Sequence, residues 1–89
     1  HTGHYADASN NLTRMNELAR IADAVAYGNS LGLQVNAGHG LDYHNIHDIV
    51  AIPGLVEFNI GHSIISRALF TGLKEAVSTM KLLLLSAEA

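Results

Sequence analysis

A five-residue pattern occurs twice in this chain. Val35-Asn36-Ala37-Gly38-His39 is echoed by Phe58-Asn59-Ile60-Gly61-His62. Each copy closes a short apolar run, Leu33–Asn36 in the first case and Leu55–Ile60 in the second. Runs of that length and character suit buried strands of a parallel sheet with helices on its faces. His62 stands 23 positions after His39, just enough for one compact αβ crossover. Parallel strands joined in this way bring both Gly-His ends to one edge of the sheet, the edge where α/β folds bind ligands.

The rest of the chain supplies the helices. Leu12, Met15, Leu18, Ala22 and Val25 recur at three- and four-residue steps, which predicts a helix from about Asn10 to Ser30 with one buried face. Asn10 and Asn11 are candidate caps, and Gly32 is a natural stop. His1–Ser9 reads as a loop following a strand end. His44–Ile52 reads as a short helix with Ile46, Ile49 and Val50 on one side, closed by Pro53-Gly54. From Ser63 the chain reads as helix to near its end, with Gly72 as a joint. Ile64, Ile65, Ala68 and Leu69 form its first apolar set, and Leu73, Val77, Met80, Leu84 and Ala87 its second.

Strand end, helix, strand, short helix, strand, helix is a βα alternation, and it implies a parallel α/β sheet. Three such units cannot close a sheet alone. They suit the last part of an eight-stranded barrel or of an open doubly wound sheet. Composition points the same way. Apolar residues make up 48% of the chain and charged residues 15%, which leaves a small domain short of polar surface. The expectation is one domain part, residues 1–89, whose apolar surface packs on further chain.

Several functions are disfavoured at this stage. With a formal charge of −3 and no cluster of Lys or Arg, a polyanion such as nucleic acid has no anchor. No apolar run is long enough for a membrane span. There is no cysteine, hence no disulfide framework and no thiol chemistry, which fits a cytoplasmic protein. His44 and His47 stand three apart, but no third ligand follows at a telling spacing, so no metal site is expected.

A small phosphorylated ligand needs much less: backbone amides, glycines that let it approach, and one or two donors. Gly40 and Gly61 would allow that approach. A helix starting near Ser63 would aim its amides at the anion, with His62 as a further donor. His39, set between two glycines, is the candidate for proton transfer, since imidazole ordinarily titrates near neutrality. Asn36 and Asn59, polar groups in apolar strands, read as residues that tie strands together. Asp7, Glu17, Asp23 and the other carboxylates read as caps and solvated faces, and Arg67 as a surface ion pair.

Taken in order, His1-Thr2-Gly3, Tyr5-Ala6-Asp7-Ala8, Glu17–Ala22, Ser30–Leu33, Val35–Leu41, Tyr43-His44-Asn45, Asn59–His62 and Thr71–Lys74 resemble the pyridoxine 5′-phosphate synthase family. The resemblance implies a (β/α)8 TIM barrel, with this chain covering roughly its last three βα units. It implies condensation of 3-amino-2-oxopropyl phosphate with 1-deoxy-D-xylulose 5-phosphate to pyridoxine 5′-phosphate, phosphate and water. It implies no cofactor and no metal, a homo-oligomer, and phosphorylated small molecules as the only substrates. His39 corresponds to the family's proton donor. Gly40 corresponds to a ligand contact, and Gly61 with His62 to the pair that holds the substrate phosphate. The family's remaining catalytic groups, a glutamate, histidines and arginines, come from earlier strands and loops. The segment alone is therefore expected to be inactive. Two other readings stay open. One is a different phosphate-binding barrel, which would call for a Schiff-base lysine or a catalytic carboxylate at a strand end. The other is a non-catalytic assembly fragment.

Overall fold

The computed structural model describes residues 1–86. Its elements run α1 (Gly3–Ala6), α2 (Asn11–Ser30), β1 (Val35–Gly38), α3 (Ile46–Val50), β2 (Leu55–Asn59), α4 (His62–Thr71) and α5 (Leu73–Ser86). The two strands are hydrogen-bonded neighbours and run parallel, with Ala37 opposite Phe58 and Gly38 opposite Asn59. The mixed α/β class read from the sequence is present, in the form of a two-stranded parallel sheet with helices packed on it.

Local chemistry accounts for the boundaries. Asn10 caps α2: its backbone is extended, and its side-chain oxygen accepts from the Thr13 amide at 2.8 Å. A cap of this kind is worth about 1 kcal/mol. Gly72, at φ +88°, separates α4 from α5 at the expected joint. Other boundaries differ from expectation. The first strand lies at Val35–Gly38, two residues later than Leu33–Asn36, because Leu33 is still engaged with the end of α2 through its amide bond to the Gly28 carbonyl. The segment read as a leading loop contains the single turn α1, closed by Asp7 N–H to Gly3 O at 2.9 Å. The short helix is only Ile46–Val50, because a side-chain-capped turn occupies Asp42–Asn45 ahead of it.

The core lies between the helices and one face of the sheet. Ile46 and Ile49 are fully buried, together with Tyr5, Ile21, Val25, Ala37, Leu41, Ala76 and Met80. Leu18, Phe58, Ile64 and Leu84 pack against them, half-buried. Side chains alternate across a strand, so Ala37 and Phe58 face this core while Asn36, Glu57 and Asn59 stand exposed on the other face. Among the described residues the sheet is thus covered on one side only.

The predicted helical faces are met in part. In α2 the buried positions are Ile21 and Val25, whereas Leu12 and Met15 are exposed. Leu69, Leu73 and Val77 are exposed as well, and Phe70 is 91% exposed. Leu12, Met15, Leu69, Leu73 and Val77 have the right spacing for burial but nothing to lie against among the described residues, and Phe70 stood outside the expected faces. Ala87 lies outside the described residues.

Candidate functional site

Both Gly-His motifs fall at the carboxyl ends of their strands, as their spacing requires. His39, Gly40, Leu41 and Asp42 from one side and Asn59, Ile60, Gly61, His62 and Ser63 from the other line one cleft of about 450 Å³. All four residues singled out from the sequence (His39, Gly40, Gly61 and His62) border this cleft.

The loop after β1 is held by its own side chains. Asp42 Oδ1 accepts from the amides of His44 and Asn45 at 2.8 Å each, and Asn45 Oδ1 accepts from the Asp42 amide at 2.8 Å. Asn45 Nδ2 donates to the Gly40 carbonyl at 3.0 Å. The Tyr5 hydroxyl, itself in the core, donates to the Asn45 carbonyl. Burial pushes the Tyr5 phenol above its ordinary pKa, against the opposing pull of the Arg14 guanidinium. Arg14 in turn pairs with Asp48 of α3. Ser63 Oγ donates to the Leu41 carbonyl at 2.8 Å, which ties the first turn of α4 to the loop and sets the distance between the two Gly-His ends.

The two glycines at the cleft differ physically. Gly40 has φ +72°, and a Cβ there would sit 2.6 Å from Ala6 Cβ. Its identity is demanded by the fold. Gly61 has φ −131°, and a Cβ there would meet nothing within 4 Å. No neighbour among the described residues demands a glycine at 61. Gly61 is also the N-cap of α4, where no side chain caps the helix and no acidic residue stands in the first turn. Backbone amides at a helix start have no intrahelical partner, and they attract an anion through both hydrogen bonding and the helix dipole. In the described structure, these donors open at the cleft beside His62.

Among the described residues, His39 carries the most unusual backbone. Its φ is +101°, the only positive value at a non-glycine residue among those described. Such a conformation costs of order 1–3 kcal/mol and persists only where its surroundings enforce it. The imidazole stacks on that of His1, with ring centroids 4.4 Å apart and planes inclined by 25°. His1 Nδ1 accepts from the Gly3 amide at 3.2 Å.

Other sequence readings come out differently. Asn59 lines the cleft, whereas Asn36 accepts from Gln34 Nε2 at 3.1 Å, a bond within its own segment and not one between strands. Arg67 sits over the Tyr43 ring at 4.3 Å and forms no ion pair among the described residues. His44 and His47 are exposed and belong to no group of three metal-ligating side chains among the described residues. The structural parts of Asp42, Ser63 and Thr2 were not read from the sequence. An Asp followed three residues later by Asn is a turn-and-cap signal that could have revealed the first.

Residues 1–86 match the family model described as pyridoxal phosphate biosynthesis protein PdxJ. The chain is 58% identical over 87 residues to a pyridoxine 5′-phosphate synthase of Photobacterium profundum, covering 98% of this chain and 36% of that protein. It is 58% identical over 88 residues to a pyridoxine 5′-phosphate synthase of Coxiella burnetii, covering 99% of this chain and 37% of that protein. The chain thus spans a little over a third of the length of these curated relatives. With 86 consecutive residues matched and both Gly-His motifs included, the chain belongs to the PdxJ family.

Proposed function

We propose that this chain is the C-terminal part of a pyridoxine 5′-phosphate synthase, a (β/α)8 barrel enzyme of the transferase type. The observation that carries the reading is the meeting of His39 and the uncapped start of α4 at one cleft on the carboxyl edge of a parallel sheet. The exposed row Asn36, Glu57 and Asn59 supports the barrel, because a closed barrel turns that face of each strand inward. The exposed apolar residues of α2, α4 and α5 support further chain packed around them.

The chemistry follows from the parts. Condensing 3-amino-2-oxopropyl phosphate with 1-deoxy-D-xylulose 5-phosphate joins an amine to a ketone, expels water and one phosphate, and closes an aromatic ring. Every step moves a proton, so an imidazole fixed beside the reacting atoms is useful repeatedly. The retained phosphate is the handle by which intermediates stay in place. In this reading Gly61 and His62 hold that phosphate at the start of α4. Gly40 contacts the ligand through its backbone, and His39 donates protons. The remaining catalytic groups come from earlier strands, so the 89-residue segment alone does not turn over. The reading extends to a homo-oligomeric cytoplasmic enzyme.

The test uses the full-length protein that carries this segment. His39→Ala should slow product formation by roughly 10²–10⁴-fold, the usual worth of a positioned acid–base group, with unfolding unchanged. His62→Ala should weaken binding of inorganic phosphate and of product. Parental turnover in the first variant and parental affinity in the second would reject the two assignments separately.

A further inference from the structure

We propose that Thr2 is a positioning residue for His39. The proposal rests on the proton-transfer reading of His39 given above. Thr2 is 1% exposed and is the only buried polar residue of the described chain. Its amide donates to the Gly38 carbonyl at 3.1 Å, and its hydroxyl donates to the His39 carbonyl at 2.6 Å. Those two carbonyls belong to the two peptide planes that flank the His39 Cα. Fixing both planes fixes φ and ψ of His39, and with them the direction in which its Cβ leaves the backbone.

Thr2 is itself held. Its carbonyl accepts from the Ala6 amide at 3.0 Å, so α1 anchors it from behind. The residues on either side of Thr2 address the ring instead of the backbone. His1 stacks on the His39 imidazole, and Gly3 leaves room below, since a Cβ there would lie 3.0 Å from His39 Cδ2 and 2.5 Å from His1 Cε1. His1-Thr2-Gly3 thus forms a cradle that clamps the His39 backbone and one face of its ring.

The strained φ of +101° connects this cradle to chemistry. A residue needed only for the turn would be glycine, which adopts positive φ without strain. An imidazole kept there against its backbone preference needs an external clamp, and Thr2 supplies both bonds of it. Loss of the hydroxyl leaves the ring present and misaimed.

A double-mutant cycle in the full-length enzyme tests this. Thr2→Val should lower kcat roughly 10- to 100-fold, the usual result of a small misplacement of a reacting group. KM for both phosphorylated substrates and affinity for inorganic phosphate should stay within about twofold of the parent, since these rest on the α4 site. Thr2→Ser, which keeps the hydroxyl, should restore kcat. Thr2→Val combined with His39→Ala should be no slower than His39→Ala alone. An equal loss from Thr2→Val with and without His39 overturns the positioning role and leaves the reading of His39 intact. Parental kcat in Thr2→Val has the same consequence. Parental turnover in His39→Ala overturns both. Should Val at position 2 prevent folding, Thr2→Ala, which also lacks the hydroxyl, takes its place in the same cycle and is read in the same way.

Discussion

Replacing Gly61 by alanine separates ligand binding from folding at the cleft. The structural cost of the added methyl works out small. A Cβ at Gly61 meets nothing within 4 Å, and φ is −131°, so neither a clash nor a left-handed conformation arises. Alanine is a poorer N-cap than glycine, a loss of up to about 1 kcal/mol. The stiffer unfolded chain returns about 0.4–1 kcal/mol. The two nearly cancel, and Gly61→Ala should change unfolding free energy by less than about 1 kcal/mol, a shift in Tm of no more than about 2–4 °C in a protein of barrel size.

The cost to binding is larger. A phosphate held at the start of α4 lies about 3 Å from backbone amides, and a methyl at residue 61 intrudes on that approach. Loss of one hydrogen bond to a charged group is worth about 1.5–3 kcal/mol, or roughly 10- to 150-fold in Kd. Calorimetric titration of the full-length protein with inorganic phosphate and with pyridoxine 5′-phosphate measures this, and thermal unfolding of the same samples measures the first term. Unchanged affinity in a variant of parental stability would show that Gly61 is only a turn residue. A Tm loss well beyond 4 °C would show that the fold needs the glycine after all.

Gly40→Ala should behave in the opposite way. Positive φ costs a non-glycine residue about 1–2 kcal/mol, and overpacking against Ala6 adds about 1–3 kcal/mol, so denaturant unfolding should show a loss of about 2–5 kcal/mol; a loss under 1 kcal/mol would contradict the geometry at Gly40 and Ala6. Tyr5 should give the protein an alkaline limit. Its folded-state pKa is raised by burial, so the stability it contributes is full below the unfolded phenol value near 10 and is lost as pH rises through the higher folded value. Unfolding measured across pH 9–11 should therefore fall less steeply in Tyr5→Phe than in the parent, and parallel curves would reject this.

The parts of this structure legible in the sequence are those written in single, local residues. Asn10 caps α2, Gly72 breaks α4 from α5, and the two Gly-His pairs end parallel neighbours at one edge. Boundaries set by competition were harder to read. Leu33 is apolar enough for a strand, yet its amide is taken by the end of α2, so β1 begins later. Periodicity was informative about which residues seek burial and silent on what buries them. Val25 and Met80 found a core, while Leu12, Leu69 and Leu73, of equal apolar character, did not.

The two motifs were legible as a pair because proximity follows from topology, but their division of labour was not, because it depends on backbone angles and open space. Gly40 and Gly61 are the same letter at comparable places. One is required by a positive φ and a neighbouring methyl, while nothing among the described residues requires the other. The same holds for the histidines. His62 is the first residue of a helix and lies beside its free amides, a place suited to an anion. His39 sits at φ +101° with both flanking carbonyls bound by Thr2 and its ring on His1, a place suited to an aimed side chain. An anion site tolerates adjustment, because charge attraction is broad in direction, whereas proton transfer demands a narrow geometry. The rigid, strained position therefore falls to the acid–base group, and the open helix start to the phosphate.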